Sequence, residues 1–278
     1  MKKIIVPTDF SPYSFNALQY ARHFAAINNG QITIIHASKN FGDYNDTYTF
    51  DHFLNSMYNV HESLTNDYIL KCKTEIAESN RQNIAIQFFD DYQEMENKIG
   101  NIVTNDAYDL LIIGTKGSIG WKEKLLGNHT VKIIEKVSCP VLAITKRSIF
   151  KPIENIVFAT DLEEDGEEAL RVLQNQADLL NASLGFVHIK LEETRSIEEN
   201  IQKYKLFLNE ILGDESYKFE LQEADSVLTG LHQYTTKNPV SIMALLQRRE
   251  QSLDDLFTIS FSKKLAFNGD TPVMIFKK

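Results

Sequence analysis

The stretch IIGTKGSIGWKEKLLGNHT, residues 112 to 130, places Gly114, Gly117, Gly120 and Gly127 directly after an apolar run. A glycine leaves main-chain N–H groups unobstructed and lets the backbone come close to a ligand, which suits a loop that cradles phosphate oxygens. Asn128, His129 and Thr130 follow at the start of a predicted helix. The unpaired N–H groups and partial positive charge of a helix start favour an anion. Asn128 and Thr130 each add a side-chain donor, and His129 adds charge when protonated. A plainer reading stands beside it, in which the glycines only make turns, Asn128 is an ordinary N-cap and His129 faces solvent. The spacing is neither that of a P-loop nor that of a Gly-x-Gly-x-x-Gly fingerprint.

Other residues of chemical interest are fewer. Asp9, at the end of VPTD, either meets a ligand or organises the turn into SPYS. His36 and His188 fall near predicted strand ends without a Ser or Cys partner at triad spacing, so packed, hydrogen-bonded histidines are expected. No metal-ligand spacing occurs. Lys116 and Lys122 flank the glycines, but there is no Walker-type lysine and no positioned base. At most, slow hydrolysis of a bound polyphosphate or self-phosphorylation is conceivable.

These residues need elements to hold them. KIIVPT, QITIIHAS, IAIQFFD, DLLIIGT and PVLAIT read as five short buried strands. Helical stretches separate them: one after Ser11-Pro12, one from about 50 to 79, one from about 95 to 105, and one from about 128. Strands alternating with helices imply right-handed crossovers and a parallel sheet with helices on both faces, an α/β fold. In such sheets a ligand binds at the carboxyl ends of the strands, where strand order reverses. The glycine loop leaves the fourth strand at that edge.

The chain states this pattern twice. Asp9 matches Asp161, Ala17-Leu18 matches Ala169-Leu170, and His36 matches His188, all at an offset of 152. SCPVLAITK at 138–146 matches DTPVMIFKK at 270–278 at an offset of 132, so the second copy has lost about 20 residues from its middle. The expected domains are 1–146 and 147–278, with the linker near RSIFKP, where Pro152 interrupts any regular element.

With Gly114, Gly117, Gly127 and Asn128 in place, VPTD ending the first strand and CPVLAI as the closing one, the chain resembles a tandem member of the universal stress protein family. The resemblance implies two adenine-nucleotide-hydrolase-like, Rossmann-like domains. It also implies an ATP site in the first copy, with or without magnesium. Family members that bind nucleotide place the acid after the first strand near the adenosine, here Asp9 with Pro7 and Thr8 beside it. The residue ending the second strand, Ala37, would line the adenine pocket. Gly114, Lys116 and Gly117 would follow ribose and phosphates, and Gly127, Asn128, His129 and Thr130 would hold the phosphate tail. Asn128 departs from the family's usual serine or threonine, although an amide still donates to phosphate.

At the second offset Gly114 becomes Leu246, Gly117 becomes Arg249 and Gly127 becomes Ile259. Each adds a side chain where the main chain would have to approach a phosphate. Glu163, Glu164 and Asp165 would repel a triphosphate if they face the crevice, whereas Arg248 and Arg249 would attract one or pair with those acids. No nucleotide is expected in this copy, and its role is architectural. The resemblance implies pairing through the closing strands, giving a pseudo-dimer within one chain, with homodimerisation also open. The contrasting reading is a stress-related interaction scaffold that binds no nucleotide, acting through unknown protein partners.

The totals agree with such a protein. A net charge of -9 argues against a nucleic-acid partner, which needs a basic face. The apolar run of MKKIIVPTDF stops at Pro7, and no segment reaches the ~18 apolar residues of a membrane span. Cys72 and Cys139 form no CxxC pair, so a reduced, cytoplasmic setting without membrane association is expected.

Overall fold

The computed structural model describes residues 1–8, 12–37, 84–89, 92–115, 132–134, 136–145, 148–191, 197–213, 217–247 and 271–278. These residues form two compact units: Met1–Gly114 with Lys132–Cys139, and Thr115–Val131 with Pro140–Lys278. The units divide the chain by contact, whereas the repeat divides it by sequence, and the two divisions differ over 115–131 and 140–146.

The first unit contains β1 (Lys3–Thr8), α1 (Pro12–Asn28), β2 (Gln31–Ala37), β3 (Ile84–Phe89), α2 (Tyr92–Asn105) and β4 (Leu110–Thr115, its last residue counted with the second unit). Its strands lie in the order β3-β2-β1-β4, and all neighbours are parallel. Ile4, Ile5 and Val6 of β1 and Leu110 to Ile113 of β4 are buried, as the continuous apolar runs require of strands covered on both faces. Ala17, Tyr20, Ala21 and Phe24 form the buried stripe of α1 at intervals of three and four, and the helix packs against β1 and β2. Tyr108 closes the far end of β4, its hydroxyl donating to Thr33 Oγ1 at 2.8 Å.

The second unit contains β5 (Val141–Thr145), β6 (Asn155–Thr160), α3 (Glu167–Leu180), β7 (Ser183–Leu191), α4 (Glu198–Leu212), β8 (Tyr217–Ala224), α5 (Val227–Lys237), β9 (Ile242–Gln247) and β10 (Val273–Lys277). The order is β5-β10-β9-β6-β7-β8. Every neighbouring pair is parallel except β5 with β10, which is antiparallel with Leu142 opposite Met274. Phe186, fully buried on β7, anchors this core. Its ring lies 5.9 Å from that of Phe158, 6.4 Å from Tyr204 and 5.2 Å from Tyr217, the last two edge to face.

The α/β fold and the strand positions follow the sequence closely. Among the described residues no helix is long and apolar enough to cross a membrane. The helix expected over about 50–79 lies outside the described residues, as does most of the one expected from about 128.

Candidate functional site

In the first unit the chain builds β1, β2 and β3 in one direction across the sheet, then places β4 on the other side of β1. The strand order therefore reverses between β1 and β4, and the carboxyl ends of these two strands flank the natural ligand crevice. Ile4 pairs with Leu110 and Ile5 with Leu111. The same register carried forward sets Thr8 opposite Gly114. On its other side Thr8 pairs with His36, the residue before Ala37. The fold thus brings Pro7, Thr8, Ala37 and Gly114 to one sheet edge. Asp9, Lys116, Gly117, Gly127, Asn128, His129 and Thr130 lie outside the described residues.

Three local facts characterise that edge. The Thr8 hydroxyl is already engaged, donating to Ser14 Oγ at 3.0 Å. Gly114 is pressed against the first turn of α1: a Cβ there would stand 2.5 Å from the main-chain nitrogen of Ser14 and would also collide with Tyr13. Thr115, only 1% exposed, has a buried hydroxyl with no hydrogen-bond partner among the described residues. A buried polar group without a partner costs roughly 1–3 kcal/mol, so the Thr115 hydroxyl at the end of β4 has hydrogen-bonding capacity that the described residues leave unused.

The second unit repeats the geometry with different chemistry. Its order reverses between β6 and β9, and Val157 pairs with Met243 and Phe158 with Ala244. That register carried forward sets Thr160 opposite Leu246. The Leu246 side chain lies against Gly166, where a Cβ would be 2.7 Å from its Cδ2. Lys278 Nζ donates to Asp165 Oδ2 at 2.8 Å, and its backbone N–H bonds the Gln247 carbonyl at 3.0 Å. The Thr160 hydroxyl accepts from the Leu162 amide at 3.0 Å. His188 Nδ1 lies 2.8 Å from the Thr160 carbonyl. A carbonyl only accepts, so the proton is on Nδ1, and this histidine is the hydrogen-bonded residue expected from sequence. Glu163 and Glu164, after β6, and Glu167 and Glu168, in the first turn of α3, are exposed. Among the described residues no group of three or more His, Cys, Asp or Glu is placed to hold a metal ion.

Sequence reading alone did not show the Lys278–Asp165 pair, the Leu246–Gly166 contact or the unpartnered Thr115 hydroxyl. The contact was within reach, because the two repeat offsets carry Gly114 to Leu246 and Ser14 to Gly166. Arg248 and Arg249, the other cations considered for those acids, lie outside the described residues.

The family model described as "Universal stress protein family" matches residues 1–145. The chain belongs to the universal stress protein family. It is similar to Universal stress protein MJ0577 of Methanocaldococcus jannaschii, 26% identical over 158 residues that cover 53% of this chain and 96% of the relative. Universal stress protein YxiE of Bacillus subtilis is 25% identical over 147 residues, covering 51% of this chain and 97% of the relative. Each of these relatives thus corresponds to about half of the chain, as a tandem arrangement requires. A universal stress protein structure from Archaeoglobus fulgidus superposes over 99% of this chain and 98% of its own with a TM-score of 0.67. At 16% identity that likeness speaks for the fold, two family domains in tandem.

Proposed function

We propose that this universal stress protein binds ATP through its first copy, at the carboxyl ends of β1 and β4, with or without magnesium. The second copy, in this reading, serves as architecture. The observation that carries the reading is the position of the glycine signature. Gly114 stands near the end of β4, the strand across the point of order reversal, and Gly117, Gly127 and Asn128 come after it in sequence, on the side of the sheet where main-chain donors meet an anion most readily. The Thr115 hydroxyl, without a partner among the described residues, suits the same reading, since a ligand beyond the end of β4 would give it one. Pro7, Thr8, Asp9 and Ala37 would stand at the adenosine end, with Lys116, Gly117, Gly127, Asn128, His129 and Thr130 along the phosphates.

The second crevice has the opposite character. Leu246 occupies the place of a bare glycine, and Glu163, Glu164, Glu167 and Glu168 are exposed, with Glu167 paired to Arg171 and neighbouring Asp165 to Lys278. A triphosphate would meet both bulk and like charge there. The chain would act in the cytoplasm as a nucleotide-responsive module that passes its state to protein partners. Titration calorimetry with ATP tests this: one nucleotide bound per chain is expected, and a Gly117→Arg variant should lose it. Two nucleotides per chain, or none in millimolar ATP, would overturn the assignment.

A further inference from the structure

We propose that Gly114 is a positioning residue that sets where α1 begins, and with it the number of residues between β1 and α1; its effect on ligand binding rests on the nucleotide reading above. The atoms a Cβ at Gly114 would strike belong to the backbone of Tyr13 and Ser14, which cannot rotate away as a side chain can. The first turn of α1 therefore reaches the end of β4 only because residue 114 is bare.

The second copy shows what happens when it is not. Its counterpart of Gly114 is Leu246, and its counterpart of Ser14 is Gly166, so the bare position has changed sides of the contact. Pro12, where α1 starts, corresponds to Glu164, yet α3 starts three residues later at Glu167. The connection after the first strand consequently grows from the three residues 9–11 to the six residues 161–166. The longer connection includes two left-handed positions, Leu162 at φ 71° and Gly166 at φ 78°. An L-residue such as Leu162 adopts that conformation only under constraint from its surroundings. The register of the first and fourth strands is the same in both copies, Ile5 with Leu111 and Val157 with Met243. The strands have not moved. The helix start has yielded to the leucine, and the longer connection carries Asp165, whose carboxylate accepts from Lys278 Nζ at 2.8 Å.

The test is a mutant cycle in the full chain. One variant is Gly114→Leu. A second gives residues 9–14 the pattern of 161–166 with its carboxylates neutralised: Phe10→Leu, Ser11→Gln, Pro12→Gln, Tyr13→Asn and Ser14→Gly. The third combines them. Hydrogen exchange at the amides of Asn16 and Ala17, which donate to the carbonyls of residues 12 and 13 when the helix starts at Pro12, reports the helix start, and ATP titration reports the site. Gly114→Leu alone should lower protection of those amides by about tenfold or more, while the combined variant should lose no more than the second variant does. The combined variant should nonetheless bind ATP at least about tenfold more weakly than wild type, a loss that a purely structural role would not predict once folding is restored. If Gly114→Leu does not fold, Gly114→Ala takes its place in the cycle. Equal cost of the 114 substitution in both backgrounds overturns the inference, and so does wild-type ATP affinity in the combined variant. If wild type itself binds no ATP, the nucleotide reading falls and the exchange coupling alone decides the role of Gly114.

Discussion

Gly166 holds φ at 78° as the residue before α3, with no side-chain capping bond to support it. Two effects oppose any side chain there, and they differ in kind. The contact with Leu246 Cδ2 involves the far end of a flexible side chain and is relieved by a small rotation. The left-handed backbone conformation is not relieved, and costs an L-residue roughly 1–2 kcal/mol. Gly166→Ala should therefore destabilise the second unit by about that amount, and adding Leu246→Ala should not restore it. Urea midpoints of the single and double variants measure the difference; full recovery in the double variant would assign the cost to packing instead. Phe186 gives a larger response. Removing a fully buried ring that touches three other aromatic rings leaves a cavity, and Phe186→Ala should cost about 3–5 kcal/mol by the same measurement.

At the level of elements, the pairing that stands out is β5 with β10. Val141, Leu142, Met274 and Ile275 are all at most 1% exposed, so this is an interior seam with backbone groups and apolar side chains satisfied together. A fragment of residues 147–278 would keep β10 and lose β5, leaving an apolar strand with an open row of N–H and C=O groups, the usual template for association. That fragment should elute in light-scattering chromatography at twice its mass or more; a stable monomer would show that β10 does not depend on its partner strand. The strands themselves were plain in the sequence. KIIVPT is β1 without a residue's difference, and the twofold repeat gave the second set, because a strand buried on both faces is a local apolar pattern. The alignment of CPVLAI with TPVMIF also pointed to a pairing edge. What stayed hidden depends on distance in sequence. That Gly114 makes room for Ser14 is a relation across 100 positions, and no local pattern distinguishes a glycine that admits a ligand from one that admits a helix. The Thr115 hydroxyl stayed hidden for a similar reason: a threonine ending a strand is ordinary in sequence, and its lack of a partner among the described residues is a fact of space.

Across the whole molecule, stability should fall at both extremes of pH, for reasons that separate by residue. Burial pushes the Tyr20 hydroxyl in the first unit up to about 12 from 10.0. Burial, aided by Glu220, does the same to Tyr234 in the second. Above pH 10 the unfolded chain releases these protons while the folded one retains them, so the folded state binds more protons and stability drops as pH rises from 10 towards 12. His23 behaves in the opposite sense. Burial lowers its value below 6.5, so the unfolded chain takes up the proton first and stability drops as pH falls below 6.5. A plateau between roughly 7 and 10 follows. The net charge of -9 becomes more negative at alkaline pH and adds a general self-repulsion that also destabilises, so the alkaline loss alone does not identify the tyrosines. Tyr20→Phe and Tyr234→Phe do. Each removes one titrating hydroxyl and leaves the other charges in place, so each should flatten the alkaline limb of its own unit's urea midpoints between pH 10 and 12 while leaving the acid limb unchanged. An alkaline limb as steep in both variants as in wild type would assign the loss to overall repulsion, and the two tyrosines would then have no part in it.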